Sequence, residues 1–215
     1  MKVRRTDYVV ASIVTAFTGG MAFADFQSIS IDAVDSGFGI GTTYRVYADV
    51  DAGDQVNAVY GEAGAALHIE STAAFYQNAF GGNTPPSAAL IAVFPSLEFD
   101  SFVSIGRLTD TDDGMLEIGI DWAAFESGGA IDTDNGSWFA TPDNAQVHEV
   151  NGRVLIGQFT TDGDVSGIVN LQGKDDALNN WNAVGVEFAS GAIPAPGAIS
   201  LLGLAGLVLP RRRRR

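Results

Sequence analysis

The chain has no cysteine. Disulfides, thiolate metal sites and cysteine nucleophiles are thereby excluded. Histidine is nearly absent as well, with only His68 and His148 present. A hydrolytic triad needs a histidine beside its nucleophile, and neither stands near a G-x-S-x-G turn. Two isolated histidines also make a poor zinc site. No Gly-rich phosphate loop opens a helix, so nucleotide binding has no support in the residues.

Positive charge is scarce in a patterned way. Lys2, Arg4, Arg5 and Arg211–Arg215 account for eight of the 12 basic residues and sit at the two ends. Between them only Arg45, Arg107, Arg153 and Lys174 face all of the 26 acids except Asp7, a net charge of −21. So negative a body repels phosphate backbones and anionic headgroups, so no nucleic-acid partner is expected. Divalent cations or cationic polymers are favoured electrostatically, although solubility outside a cell is the plainer use of the charge.

What the chain has in quantity is apolar residues, glycine and ends of a distinctive kind. An apolar fraction of 46%, with 13 Phe, is enough for a sizeable core in 215 residues. At the front, Lys2, Arg4 and Arg5 precede an apolar run from Tyr8 to Phe17, and Ala22-Phe23-Ala24 closes it. Positive flank, apolar segment and small-residue site are the three parts of a secretory signal, which would form a helix and be cut after Ala24. At the back, Pro194-Ala195-Pro196 precedes the apolar stretch Ala198–Leu209, then Pro210 and Arg211, Arg212, Arg213, Arg214 and Arg215. As a helix those 12 residues would measure about 18 Å, short of the roughly 30 Å hydrocarbon core. They would cross as a transmembrane helix by recruiting their flanks, with the arginines as a cytoplasmic stop.

This order of Pro-x-Pro, apolar span and arginine cluster resembles the PEP-CTERM sorting signal of Gram-negative bacteria. Ala195 stands where that motif usually has Glu. The resemblance implies processing by a membrane exosortase after signal peptidase. It also implies transient membrane attachment and delivery to the cell surface or the exterior. Three segments follow: a signal peptide over 1–24, a folded body over 25–193 and a sorting tail over 194–215.

Within the body, apolar residues recur with period two. Ile29, Ile31 and Ala33 alternate with Ser28, Ser30 and Asp32. Tyr44, Val46, Ala48 and Val50 oppose Arg45, Tyr47 and Asp49, and Val56, Ala58 and Tyr60 continue the theme. Leu67 and Ile69 flank His68. Phe99 to Ile105, Leu116 to Trp122, Arg153–Phe159, Asp164–Gln172 and Asn182–Phe188 read as further strands. Gly/Asp turns between them point to an all-β antiparallel sandwich or jelly roll. The best local hairpin joins Arg153–Phe159 to Asp164–Gln172 through Asp162-Gly163. The stretches 72–87 and 121–151 read as long loops. The body also resembles uncharacterised secreted proteins that carry this tail, at Thr43–Asp49, Phe94–Ser101 and Val169–Gly173. That likeness implies no activity and no site residue.

Three candidate chemistries remain. Asp110, Asp112 and Asp113 before Gly114, and Asp132, Asp134 and Asn135 before Gly136, share a D-x-D-[DN]-G pattern that would offer oxygen ligands to Ca²⁺. Asp, Asn and Gly also favour turns for their own sake, so both readings stand. Glu98 with Asp100, and Glu117 with Asp121, are the carboxylate pairs that a polysaccharide hydrolase would need. Phe75, Tyr76, Phe80, Trp122, Trp138, Phe139 and Trp181 would stack on sugar rings only if they cluster on one exposed rim. The leading expectation is a non-enzymatic matrix or adhesion protein that requires no cofactor. A calcium-assisted module for exopolysaccharide and a hydrolase are its rivals.

Overall fold

The computed structural model of the chain describes residues 26–191 and the backbone of Ala11–Val14. The fold is an all-β antiparallel sandwich. The first sheet holds β1 (Ala11–Val14), β2 (Phe26–Asp35), β3 (Thr42–Val50), β10 (Arg153–Thr161) and β6 (Phe102–Val103), in that spatial order. The second holds β4 (Gln55–Gly61), β5 (Leu67–Ser71), β7 (Leu116–Ile118), β8 (Ile131–Thr133), β9 (Gly136–Phe139), β11 (Val165–Lys174) and β12 (Asn180–Ala189). β1 falls inside the expected signal segment and pairs with β2. The rest of that signal helix, and the apolar tail helix, lie outside the described residues.

Register reduces the second sheet to five ranks. β4 and β5 lie end to end along one side of β11, and β8 and β9 lie end to end beside them. β7 and β12 form the two edges. The junction between β4 and β5 is a fork where a ladder would leave carbonyls unpaired, a costly fault in a buried sheet. Fully buried Asn170 closes it. Its Nδ2 donates to the Tyr60 and Ala65 carbonyls at 2.9 and 2.7 Å, while its Oδ1 accepts from the Gly185 N–H at 2.8 Å. Gly185 sits in a bulge of β12 with φ +67°, a conformation suited to glycine.

Alternation explains the core between the sheets. Ile29, Ile31, Val46, Ala48 and Val154 from the first sheet meet Val59, Ile69, Val169, Leu171 and Trp138 from the second. Trp138 is fully buried, which contributes about 4–6 kcal/mol by area. Its Nε1 donates to the Ser104 and Ile156 carbonyls at 3.1 and 3.2 Å, satisfying the one polar atom of the ring. β10 is buried from Val154 to Thr161 on both faces. A 3-10 turn, η1 (Pro95–Phe99), and the segment after it cover its outer side, burying Leu97, Phe99 and Phe102 there.

Four sequence expectations are corrected. The hairpin through Asp162-Gly163 does not form: β10 pairs with β3 and β6, and β11 with β12, β4 and β5. That turn carries the chain from one sheet to the other, with Thr161 Oγ1 donating to the Ala74 carbonyl and Asp164 N to Thr72 Oγ1. The strand expected over Phe99–Ile105 shrinks to β6, because every residue from Phe99 to Ile105 is buried and no alternating face is needed. The strand expected over Leu116–Trp122 stops at Ile118 and gives way to a turn before α2 (Ala123–Glu126). The stretch 121–151 is not one long loop, since it contains β8 and β9.

Replacing Asn170 by Ala should strand the Gly185 N–H and two carbonyls at the fork. The expected cost is about 2–4 kcal/mol, or roughly 5–15 °C in Tm. A thermal melt lowered by less than about 2 °C would show that the fork does not depend on this amide.

Candidate functional site

The outer face of the first sheet carries the most ordered group of polar and aromatic side chains. Asp32 on β2, Tyr47 on β3 and Arg153 on β10 point away from the core. The Arg153 guanidinium grips Asp32 with both terminal nitrogens, Nη1 and Nη2 donating at 3.1 and 2.6 Å, and lies 3.9 Å over the Tyr47 ring. Hydrogen bonding to Asp32 raises the Arg153 pKa further. Ser28 and Ser30 both donate to Asp49, at 2.7 and 2.6 Å. Arg45 Nε donates to Gln158 Oε1 at 2.8 Å, and Gln158 Nε2 donates to the Glu98 and Asp100 carbonyls. Two of the four cations of the body are thus committed to this network. It ties three strands to η1.

The second group surrounds Asp100, which is wholly buried. Its Oδ1 accepts from the Asn78 N–H at 2.6 Å, whereas Oδ2 carries no hydrogen bond. Gly81 packs against that oxygen so closely that a Cβ there would lie 1.6 Å away. Burial pushes the carboxyl up to about 6 against the pull of the Asn78, Ser101 and Gly82 N–H groups. Asn78 also donates to the Tyr76 hydroxyl and to Ser96 Oγ, at 3.0 and 3.1 Å. Asp100 therefore fastens the loop 76–82 to the end of η1. Beside this latch, Phe80 stacks on Phe94 at 4.2 Å and 18°, both exposed.

Even spacing would put each carboxylate pair on one face of a strand, but the members of the pairs do not share a strand. Glu98 lies within η1 and Asp100 follows it, so their spacing is that of a 3-10 turn. Glu117 is on β7, while Asp121 Oδ1 accepts the Ala123 N–H at the start of α2. Glu117 instead meets Asn83, with Glu126 and Trp122 nearby. Burial, reinforced by Glu126, raises its pKa against the hydrogen bonds from Asn83 and Trp122.

The two Asp-rich turns lie apart and are used internally. Asp110 Oδ1 accepts from the Ala88 N–H at 3.0 Å, and Asp113 Oδ1 accepts from Met115 N and Gln146 Nε2 at 3.0 and 3.1 Å. Asp112 takes a positive φ of 54° within that turn. Asp132 on β8 pairs with His68 on β5, whose other nitrogen is 3.4 Å from Glu70. Burial lowers the His68 pKa, but Asp132 and Glu70 outweigh it and raise the value overall. Asp134 and Asn135 are exposed at the turn into β9. Among the described residues, no three His, Asp or Glu side chains come together as metal ligands.

Of the aromatic candidates, Phe75, Trp138 and Trp181 are core residues and Trp122 packs partly against the core. Tyr76 is half-buried, Phe139 is half-buried on the outer face of the second sheet, and Phe80 is exposed. The sequence missed Tyr60, which alternation assigns to one face with Val56. A register shift between Val56 and Ala58 instead turns Ala58 and Tyr60 outward and leaves Val56 in the core. It also missed Phe38 and Phe94, whose only signal was their position in loops. No known protein family, curated protein or solved structure matches the chain.

The Asp100 latch should be legible in a pH titration. A carboxyl raised from 3.8 to about 6 on folding holds more protons in the folded state between those values. Its stabilising contribution is complete below about pH 3.8 and lost as pH climbs past 6. The difference in unfolding free energy between the native protein and Asp100→Asn should therefore shift by up to about 3 kcal/mol across that window, to the native protein's disadvantage at pH 7. Parallel stability curves for the two proteins from pH 4 to pH 7.5 would remove the latch.

Proposed function

We propose that the chain is an exported protein, sorted to the cell surface or beyond, with a non-enzymatic role in extracellular matrix structure or adhesion. The observation that carries this reading is the match between the addresses and the fold. Among the described residues, every strand except β1 lies from Phe26 to Ala189, inside the interval 25–193 that a cut after Ala24 and a tail beginning at Pro194 would leave. Lys2, Arg4 and Arg5 would hold the front of the signal on the cytoplasmic side while Ala22 and Ala24 present the cleavage site. Removal of that segment would take β1 with it and leave β2 as the edge of the first sheet.

At the other end, the tail resembles a PEP-CTERM signal, with Pro194, Ala195 and Pro196 ahead of the apolar span and Arg211–Arg215 behind it. An exosortase-type enzyme is the implied processing partner, and the membrane is engaged only before processing. The acidic body suits an aqueous exterior, where charge keeps a strand-rich domain soluble. Several of its carboxylates, Asp49, Asp110, Asp113 and Asp132 among them, are spent on turns and strand crossings, and Asp100 on the latch, which supports a structural role over a catalytic one.

Deleting Arg211–Arg215 in the native host should retain the chain at the membrane or misdirect it. Fractionation with mass spectrometry of the C-terminus reads the result. A truncated form that reaches the exterior and is trimmed as the full chain is would refute the sorting role.

A further inference from the structure

The two outer faces of the sandwich are treated differently. η1 and its neighbours cover the first sheet, while Arg153, Asp32 and Asp49 tie up the rest. The outer face of the second sheet instead leaves Leu116, Ile118, Ile168 and Val184 exposed. Antiparallel sheets that face water normally present polar side chains there.

Register defines what that face displays. One rank across the strands is Leu116, Phe139, Ala58, Gln172 and Asn182. The next is Ile118, Ser137 and Tyr60, reaching Val184 at the β12 bulge. Leu116, Ile118 and Val184 are 54%, 67% and 46% exposed. Tyr60 and Phe139 stand diagonally on neighbouring strands, about 7–8 Å apart at their backbones. Five strands make the ranks about 19 Å wide.

These ranks carry no charged side chain. A soluble domain charges about 25–35% of its surface, which would put two or three charges here. Charge resumes at the borders, with Lys174 on one side and Glu62, His68, Asp132 and Glu187 on the other. Burial raises the Tyr60 pKa, and Glu62 stands near enough to raise it further. A cationic partner would find no carboxylate within the ranks, and an anionic one no base. A second copy would bring another body of net charge −21 against the acidic border. The face instead offers two aromatic rings and aliphatic groups beside the Gln172 and Asn182 amides, which make no side-chain hydrogen bond among the described residues. That mixture fits a molecule with apolar C–H faces and a rim of neutral hydroxyls.

We infer that the outer face of the second sheet, centred on Tyr60 and Phe139, is a docking surface for an uncharged polysaccharide chain lying across the strands. The inference rests on the reading of the protein as an outward-facing, non-catalytic component, and names its partner class. The test uses the purified full chain in mild detergent with microcrystalline cellulose, chitin and cross-linked dextran as uncharged probes. Polygalacturonate and chitosan serve as charged controls.

Retention on at least one uncharged probe, unchanged by 0.5 M salt because no ion pair is involved, is the expected result. Tyr60→Ala combined with Phe139→Ala should weaken it at least tenfold, and Ile118→Asp likewise. Phe80→Ala, on a different surface, should leave it intact, with near-ultraviolet dichroism of the tryptophans confirming each fold. The inference fails if no uncharged probe retains the protein, if retention survives both face variants, or if only the charged polymers bind. It fails equally if sedimentation finds a dimer that Ile118→Asp dissociates. A protein found on the cell surface that retains no glycan overturns this inference alone. An intact cytosolic chain that still binds cellulose overturns the export reading alone.

Discussion

Burial of β10 on both faces is the constraint around which the domain is arranged. A strand in a two-layer sandwich has one face to hide, and its second normally meets water. β10 hides both, so a third layer is required over its outer side. The chain supplies it from the irregular stretch after β5. Irregular backbone laid over a sheet brings unpaired carbonyls and amides into a dry region. The residues at the contact meet that demand one by one. Thr160 Oγ1 donates to the Phe99 carbonyl at 2.6 Å and its N–H donates to Ser101 Oγ at 2.9 Å. Gln158 satisfies two more carbonyls, of Glu98 and Asp100. Asp100 then has little choice but burial. Its raised pKa is the cost of pinning the loop above it.

The same demand links the cover to the sheet beyond. Gln158 is held by Arg45, which leaves Arg153 to neutralise Asp32 across Tyr47. With one of its partners 6% and the other 32% exposed at the side chain, the Arg153–Asp32 pair is partly desolvated. Removing the arginine would leave a buried carboxylate, whereas removing the aspartate would leave a guanidinium that reaches solvent. The two halves of the pair are unequal for that reason. In a body with four cations, two are spent on the outer face of the first sheet, Arg45 on Gln158 and Arg153 on Asp32. The surface charge of the domain is correspondingly one-sided.

How much of this was legible depended on whether neighbouring strands kept the pattern simple. β2, β3, β11 and β12 alternate over long runs with one core face, and their residues announce them within two positions of their ends. β10 was legible as a strand but not as a member of its sheet, because Asp162-Gly163 is as good a sequence for a hairpin as for a crossing. What decides is the contact of Thr161 with Ala74 and of Asp164 with Thr72, 87 and 92 residues away. β8 and β9 were hidden by their own turn residues: three and four residues long, they flank Asp134-Asn135 and borrow their pairing from β5 and β4. Tyr60 was assigned to the wrong side because a single register shift reverses every residue after it. The acid-rich turns were legible as turns. Their partners, Ala88, Gln146 and His68, were not, since each lies far off in the chain.

A bulge, a fork and an edge share responsibility for the one sheet face left bare. The shift before Ala58 turns Tyr60 outward, the fork closed by Asn170 keeps β4 and β5 in one plane, and the bulge at Gly185 brings Val184 to the surface. Each deviation costs ladder hydrogen bonds that the unbroken pattern would have kept. None of them is needed to fill the core, which Val56, Val59 and Leu171 pack from the other side. A flatter, regular β4 would have buried Tyr60 and presented Val59 and Asn57 in its place. The irregularities convert an ordinary solvated face into one that is broad and apolar with its charge kept to the borders, while the polar groups that those irregularities free are satisfied from within by Asn170. A domain under selection for solubility alone would have no use for that exchange; a domain that must lie against something uncharged would.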